Sequence, residues 1–139
     1  MTRAGSRVSG LIGSVSAPDD VWKCVVLVVD DDKPLLSIFA RHLPRFGWRV
    51  LTAPDGLRAL QILDAQPVDV VVVDETMPGP SGAALLEHVH ATWPGVRLVL
   101  LSGWPSPLGR ERAEAIGAQV VMKGEEFATL LEALGGPCG

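Results

Sequence analysis

Short β-branched apolar runs alternate along this chain with longer stretches whose apolar positions recur every three to four residues. The run CVVLVV, residues 24–29, leads into Asp30. The following PLLSIFARHLPRF places Leu35, Leu36, Ile38, Phe39 and Leu43 on roughly one helical face. Pro34 suits the first turn of that helix, and Pro44 should end or kink it. WRVLTA is a second strand, and DGLRALQILDA a second helix with Asp55 as its N-cap. Residues 68–73 form the third strand, driven straight into Asp74 and broken by TMPGPSG, and a third helix spans residues 81–92. VRLVLLS is the fourth strand. A short helix over residues 108–116 leads through Gly117, its C-cap, to a fifth strand AQVVM and a last helix EEFATLLEAL.

A continuous β-branched run is what a strand buried on both faces requires, so residues 70–73 read as a central strand of a parallel sheet. Five βα units in succession predict an α/β fold: a doubly wound, five-stranded parallel sheet with helices on both faces, because each right-handed parallel crossover carries a helix. The flavodoxin-like order 2-1-3-4-5 is the simplest arrangement of five such units.

At 139 residues the chain is the length of about one domain. The divisions expected are a flexible leader over residues 1–22, the folded domain over 23–135 and a short tail over 136–139. The net charge of −4 with scattered Lys and Arg gives no basic stripe, which argues against nucleic acid as a partner. No apolar run approaches the roughly 20 residues a membrane helix needs, so a soluble protein without a membrane partner is expected. The two cysteines do not suggest a scaffold. Cys24 opens the first strand as a small apolar residue, Cys138 lies in a glycine-rich tail expected to be mobile, and both suit a reduced cytoplasmic compartment, with a disulfide between the two as the less favoured alternative.

In an open α/β sheet, ligands bind at the carboxyl ends of the strands. Strand one ends in Asp30, Asp31 and Asp32, strand three in Asp74, strand four in Ser102 and strand five in Lys123. Alone, DDDK reads equally well as a turn or an N-cap, Lys123 as a solvated surface charge and Ser102 before Gly103 as a turn. Convergence at four strand ends is harder to attribute to caps. Crowded carboxylates repel one another, so the cluster makes sense with a shared cation, and its oxygen ligands suit Mg2+. Asp74 is then a candidate nucleophile toward phosphorus, with Lys123 and Ser102 supplying a charge and a hydroxyl to the phosphoryl oxygens.

Over residues 23–134 the sequence resembles the receiver domain of two-component response regulators. VLVVDDD, VVVDETMPGPSG with its Asp-x-x-Met-Pro-x-x-x-Gly pattern, LVLLSG and GAQVVMK carry the resemblance. It implies that Asp74 is the phosphoacceptor, that Asp30 and Asp31 hold Mg2+ with the backbone carbonyl of Thr76, that Ser102 is the switch hydroxyl and that Lys123 binds the phosphate. It further implies a histidine kinase or phosphotransfer protein as donor and output through the fourth helix, fifth strand and fifth helix. On this reading the chain is a stand-alone receiver, not an enzyme, that signals to a downstream protein or passes phosphate along a relay. The sequence leaves room for a homodimer through the last helix.

Three features depart from the family pattern. Lys123 is followed by Gly124 rather than proline, so a trans peptide is expected there. The usual aromatic three residues before the lysine is Val120, and Pro105 and Pro107 should shorten the fourth helix. Trp104 is expected to pack, with a role as a substitute moving aromatic as the alternative. These departures motivate a competing reading as a pseudo-receiver, an interaction module that is not phosphorylated. A phosphohydrolase is a further competitor, although Thr76 stands where such enzymes carry a second acid. His42, His88 and His90 are expected to be surface residues, and Trp22, Trp48 and Trp93 core or boundary residues.

Overall fold

The computed structural model describes residues 24–77, 81–125 and 127–138. Its elements follow the alternation in the sequence: β1 (Cys24–Val29), α1 (Lys33–His42), a 3-10 turn (Leu43–Phe46), β2 (Trp48–Ala53), α2 (Gly56–Ala65), β3 (Val70–Asp74), α3 (Gly82–Thr92), β4 (Arg97–Ser102), α4 (Pro107–Ala115), β5 (Gln119–Met122) and α5 (Phe127–Ala133). All four strand pairings are parallel, in the order β2-β1-β3-β4-β5. The doubly wound five-stranded sheet expected from the sequence is therefore present.

Alternation along the strands divides the core in two. Val25, Leu27, Val29, Val71 and Val73 face a layer containing Ala59, Ile62, Leu63, Leu85, Leu86, Val89 and Ala113, which α2, α3 and α4 supply. Val26, Val28, Val70 and Val72 face the other layer, with Phe39 from α1 and Leu130 and Ala133 from α5. Both faces of β1 and β3 are covered, which is why these strands read as unbroken apolar runs rather than alternating ones.

Side-chain caps set the helix starts. Asp32 accepts from the Leu35 amide, Asp55 from Arg58, Ser81 from Ala84 and Ser106 from Gly109. Ser81 is thus the cap of α3 rather than its first residue, and α4 begins at Pro107. Pro44 ends α1 as expected, handing over to the 3-10 turn. The last helix is shorter than the sequence suggests. Residues 122–125 form a turn in which the Glu125 amide donates to the Met122 carbonyl at 3.2 Å and the Glu125 carboxylate accepts from the Met122 amide at 2.8 Å.

The expectation for the cysteines is overturned. Cys24 and Cys138 form a disulfide with Cα atoms 5.9 Å apart. Residues 136–138 are consequently part of the folded unit, not a mobile tail: the Cys138 amide donates to the Phe46 carbonyl at 2.8 Å, and the Trp48 indole donates to the Gly136 carbonyl at 3.0 Å. The physical reason is topological. α5 returns the chain to the amino end of β1 and β2, where Cys24 and Trp48 are in register, so residues 114 apart in sequence become neighbours. Unpaired thiols no longer argue for a reduced compartment. Trp93 packs against the α2–α4 layer as expected, whereas Trp22 and the proposed leader lie outside the described residues. Among the described residues no helix is long and apolar enough to cross a membrane.

Candidate functional site

Four strands deliver polar residues to the carboxyl edge of the sheet, and backbone bonds beyond the strand ends hold them there. The Asp30 amide donates to the Ala53 carbonyl at 3.0 Å, Glu75 to Leu101 at 2.8 Å and Lys123 to Ser102 at 2.7 Å. The buried polar or charged residues among those described are Asp30, Asp74 and Ser102, three of the residues the sequence singles out. A buried carboxylate is costly unless it is compensated. Here the Lys123 ammonium is shared, 3.3 Å from Asp30 Oδ2 and 3.2 Å from Asp74 Oδ1.

That compensation is incomplete. Asp31, exposed at the rim, brings a carboxylate oxygen to within 4.8 Å of those of Asp30 and Asp74, so three carboxylates cluster where one ammonium pairs with two of them. Asp30 Oδ1 accepts the Asp32 amide at 2.9 Å, whereas Asp30 Oδ2 is buried with no hydrogen bond, facing only the ammonium. Burial, and then the charge of Asp30, push Asp74 above the ordinary aspartate pKa against the opposing pull of Lys123 and the Thr76 amide. Burial works against the charge on Lys123, but Asp74 and Asp30 together hold its pKa above the ordinary lysine value. An excess of negative charge, a buried carboxylate oxygen with no hydrogen bond and an all-oxygen donor set fit a hard divalent cation. Thr76 is exposed beside this cluster. His88 and His90 are exposed, and His42 packs edge-on against Phe127 with ring centroids 6.1 Å apart, so none joins the site.

One contact was not legible in the sequence. The carboxylate of Glu75 reaches the start of α4, where it accepts from Ser106 Oγ at 2.7 Å and lies 3.3 Å from the Ser106 amide. Although burial opposes it, hydrogen bonds from the hydroxyls of Ser106 and Ser102 and from the Ser106 amide, with the charge of Arg110, hold the Glu75 pKa below the ordinary range. Ser106 before Pro107 is recognisable as a cap, but its partner lies 31 residues away across β4.

The family model for the response regulator receiver domain matches residues 26–135. The chain belongs to this family. A CheY-like response regulator receiver domain protein from Methanospirillum hungatei has a similar structure, with a TM-score of 0.77 at 26% identity over 81% of this chain and 90% of that one. A response regulator from Burkholderia pseudomallei, solved with a phosphorylated aspartic acid, a calcium ion and citrate, gives 0.74 at 28% identity over 80% of this chain and 66% of that one. Among curated proteins, the uncharacterized transcriptional regulatory protein YrkP of Bacillus subtilis is 33% identical over 97 residues, which are 70% of this chain. The match spans 41% of that regulator's length.

The receiver's departures from its family lie together on one side. Val120 is half-buried against the α2–α4 layer and has no polar end to swing. The Lys123–Gly124 peptide is trans, and Gly124 adopts φ +93°, a left-handed conformation that favours glycine. Trp104 does not pack: it is 86% exposed, and its amide donates to Ser102 Oγ at 3.1 Å. The expectation of simple packing is therefore corrected.

The final glycine of the Asp74 motif also has a structural reason. A Cβ on Gly82 would overlap the Asp74 carbonyl oxygen and lie 2.8 Å from Glu75 Cα and 2.9 Å from the Asp74 carbonyl carbon, all backbone atoms that cannot move aside cheaply. Gly82→Ala is expected to lower stability by about 1–3 kcal/mol through overpacking, measured as a shift of the urea midpoint. An unchanged midpoint would show that the α3 amino end is not pressed against the carboxyl end of β3.

Proposed function

We propose that Asp74 accepts a phosphoryl group from a histidine kinase or phosphotransfer protein in a Mg2+-dependent reaction, and that the modified receiver signals by protein contact or relays the group onward. The convergence of Asp30, Asp31, Asp74 and Lys123 at one sheet edge carries this reading. An Asp74 carboxylate oxygen forms the new bond to phosphorus as the donor's P–N bond breaks, releasing the imidazole, or as the P–O bond of acetyl phosphate breaks, releasing acetate. Lys123 offers its charge to the phosphoryl oxygens, and the Ser102 hydroxyl, buried at the end of β4, can donate to another. The residues suited to hold Mg2+ are Asp30, Asp31, Asp74 and the Thr76 carbonyl; the bound ion would neutralise charge on the incoming group. The receiver then acts as a switch rather than an enzyme, since Thr76 offers no carboxylic acid to drive hydrolysis.

The test is intact mass after incubation with Mg2+ and acetyl phosphate, beside Asp74→Asn and a chelated sample. One added phosphoryl group, absent from both controls, is expected. Val120 and Gly124 favour the second reading, a pseudo-receiver. No addition by a folded protein that also fails to bind beryllofluoride would establish it. Catalytic turnover of a phosphomonoester would instead make the chain a phosphohydrolase.

A further inference from the structure

We propose that Glu75 is the positioning residue of the switch: it clasps the β4–α4 connection in the unphosphorylated receiver and releases it when Asp74 is phosphorylated. This rests on the reading of Asp74 as phosphoacceptor. The connection is held at two points, by the Trp104 amide on Ser102 Oγ at 3.1 Å and by Ser106 on the Glu75 carboxylate at 2.7 Å. The second clasp is built into the helix start, because Ser106 Oγ also caps α4 by accepting the Gly109 amide at 2.9 Å. The seat for the carboxylate depends on Gly109, since a Cβ there would overlap Glu75 Oε2 and lie 2.8 Å from Ser106 Oγ. A carboxylate seated at a helix amino end is favoured by the helix dipole and by the free amides of the first turn.

Phosphorylation disturbs both clasps. An acyl phosphate on Asp74 carries about −2 where the carboxylate carried about −1, which adds like charge one residue from Glu75. A Ser102 hydroxyl drawn to a phosphoryl oxygen moves off the Trp104 amide. The exposed Trp104 then travels with a freed loop, which supplies the moving aromatic that Val120 cannot. α4 is in contact with the clasp at its first turn, so its amino end shifts with the loop.

Amide hydrogen exchange at Ser106 and Gly109, read by NMR in the full chain with and without Mg2+ and beryllofluoride as the phosphoryl mimic, tests the proposal. In the wild type, exchange at the Ser106 amide is expected to rise about tenfold or more on beryllofluoride binding, the size of a lost hydrogen bond to a charged group, with a smaller rise at Gly109, whose acceptor is the Ser106 hydroxyl. In Glu75→Ala and in Gly109→Ala, which ejects the carboxylate while favouring the helix, exchange should already be raised and should respond little to beryllofluoride. Beryllofluoride binding that leaves wild-type exchange unchanged would overturn the clasp and leave the phosphoacceptor reading intact. An equal rise from the same baseline in the variants would remove Glu75 from the switch. Failure of the wild type to bind beryllofluoride would overturn the phosphoacceptor reading and the release with it.

Discussion

Reduction of the Cys24–Cys138 disulfide is expected to lower the unfolding free energy of the receiver by roughly 4–5 kcal/mol. The bridge closes a loop with a sequence separation of 114 residues, nearly the whole folded unit. In the chain-entropy description a closed loop of this size removes about that much freedom from the unfolded chain. Single domains are stable by only about 5–15 kcal/mol, so the loss would be a large part of the total. The effect should be largest at the amino end of the sheet, where the bridge, the Cys138 amide and the Trp48 indole tie residues 136–138 to β1 and β2. The acidic cluster lies at the opposite, carboxyl edge and should keep its geometry while the protein remains folded. Urea unfolding with and without a dithiol reductant, compared with Cys24→Ser/Cys138→Ser, measures the difference. Coincident curves, or two free thiols titrating in the native protein, would remove the bridge from the account.

Replacing Lys123 with Met is expected to slow the proposed phosphoryl transfer to Asp74 at least about 100-fold, the usual consequence of losing one preorganised electrostatic partner of a transferring group. The same change exposes the charge imbalance beneath. Asp30 and Asp74, 0% and 4% exposed, would face each other without the ammonium. Breaking a fully buried pair costs about 3–5 kcal/mol, but this ammonium is 30% exposed, so a loss of roughly 1–3 kcal/mol is expected after allowing for solvent screening. Burial and Asp30 already raise the pKa of Asp74, and without Lys123 it rises further. A carboxyl whose folded pKa lies above its unfolded value is most favourable below the unfolded pKa, and it loses stability as the pH climbs toward the folded pKa. In metal-free buffer the deficit of the variant should therefore be largest near neutrality and shrink on acidification. Added Mg2+ should raise its melting temperature more than that of the wild type. A variant that keeps the wild-type mass gain and the wild-type pH profile would place the essential positive charge elsewhere.

The elements of this receiver were legible because their causes are local. Unbroken valine runs are what a doubly covered strand needs, and Asp32, Asp55, Ser81 and Ser106 announce helix starts by side chains that bond within three residues. The site residues Asp30, Asp74, Ser102 and Lys123 were legible for a related reason. Each stands at or just past a strand end, and parallel order alone sends all strand ends of one kind to the same edge. The shortened α5 was not legible, because its start depends on the turn made by Met122 and Glu125.

Periodicity and residue type at strand ends thus specify the parallel sheet, the inventory of its carboxyl edge and the family. The Cys24–Cys138 bridge, the exposure of Trp104 and the clasp of Glu75 on Ser106 emerge only once the elements pack in three dimensions. These depend on where α5 and the β4–α4 connection come to rest against distant segments. A contact between residues far apart in sequence is set by the packing of whole elements, and neither partner's own neighbours carry a trace of it.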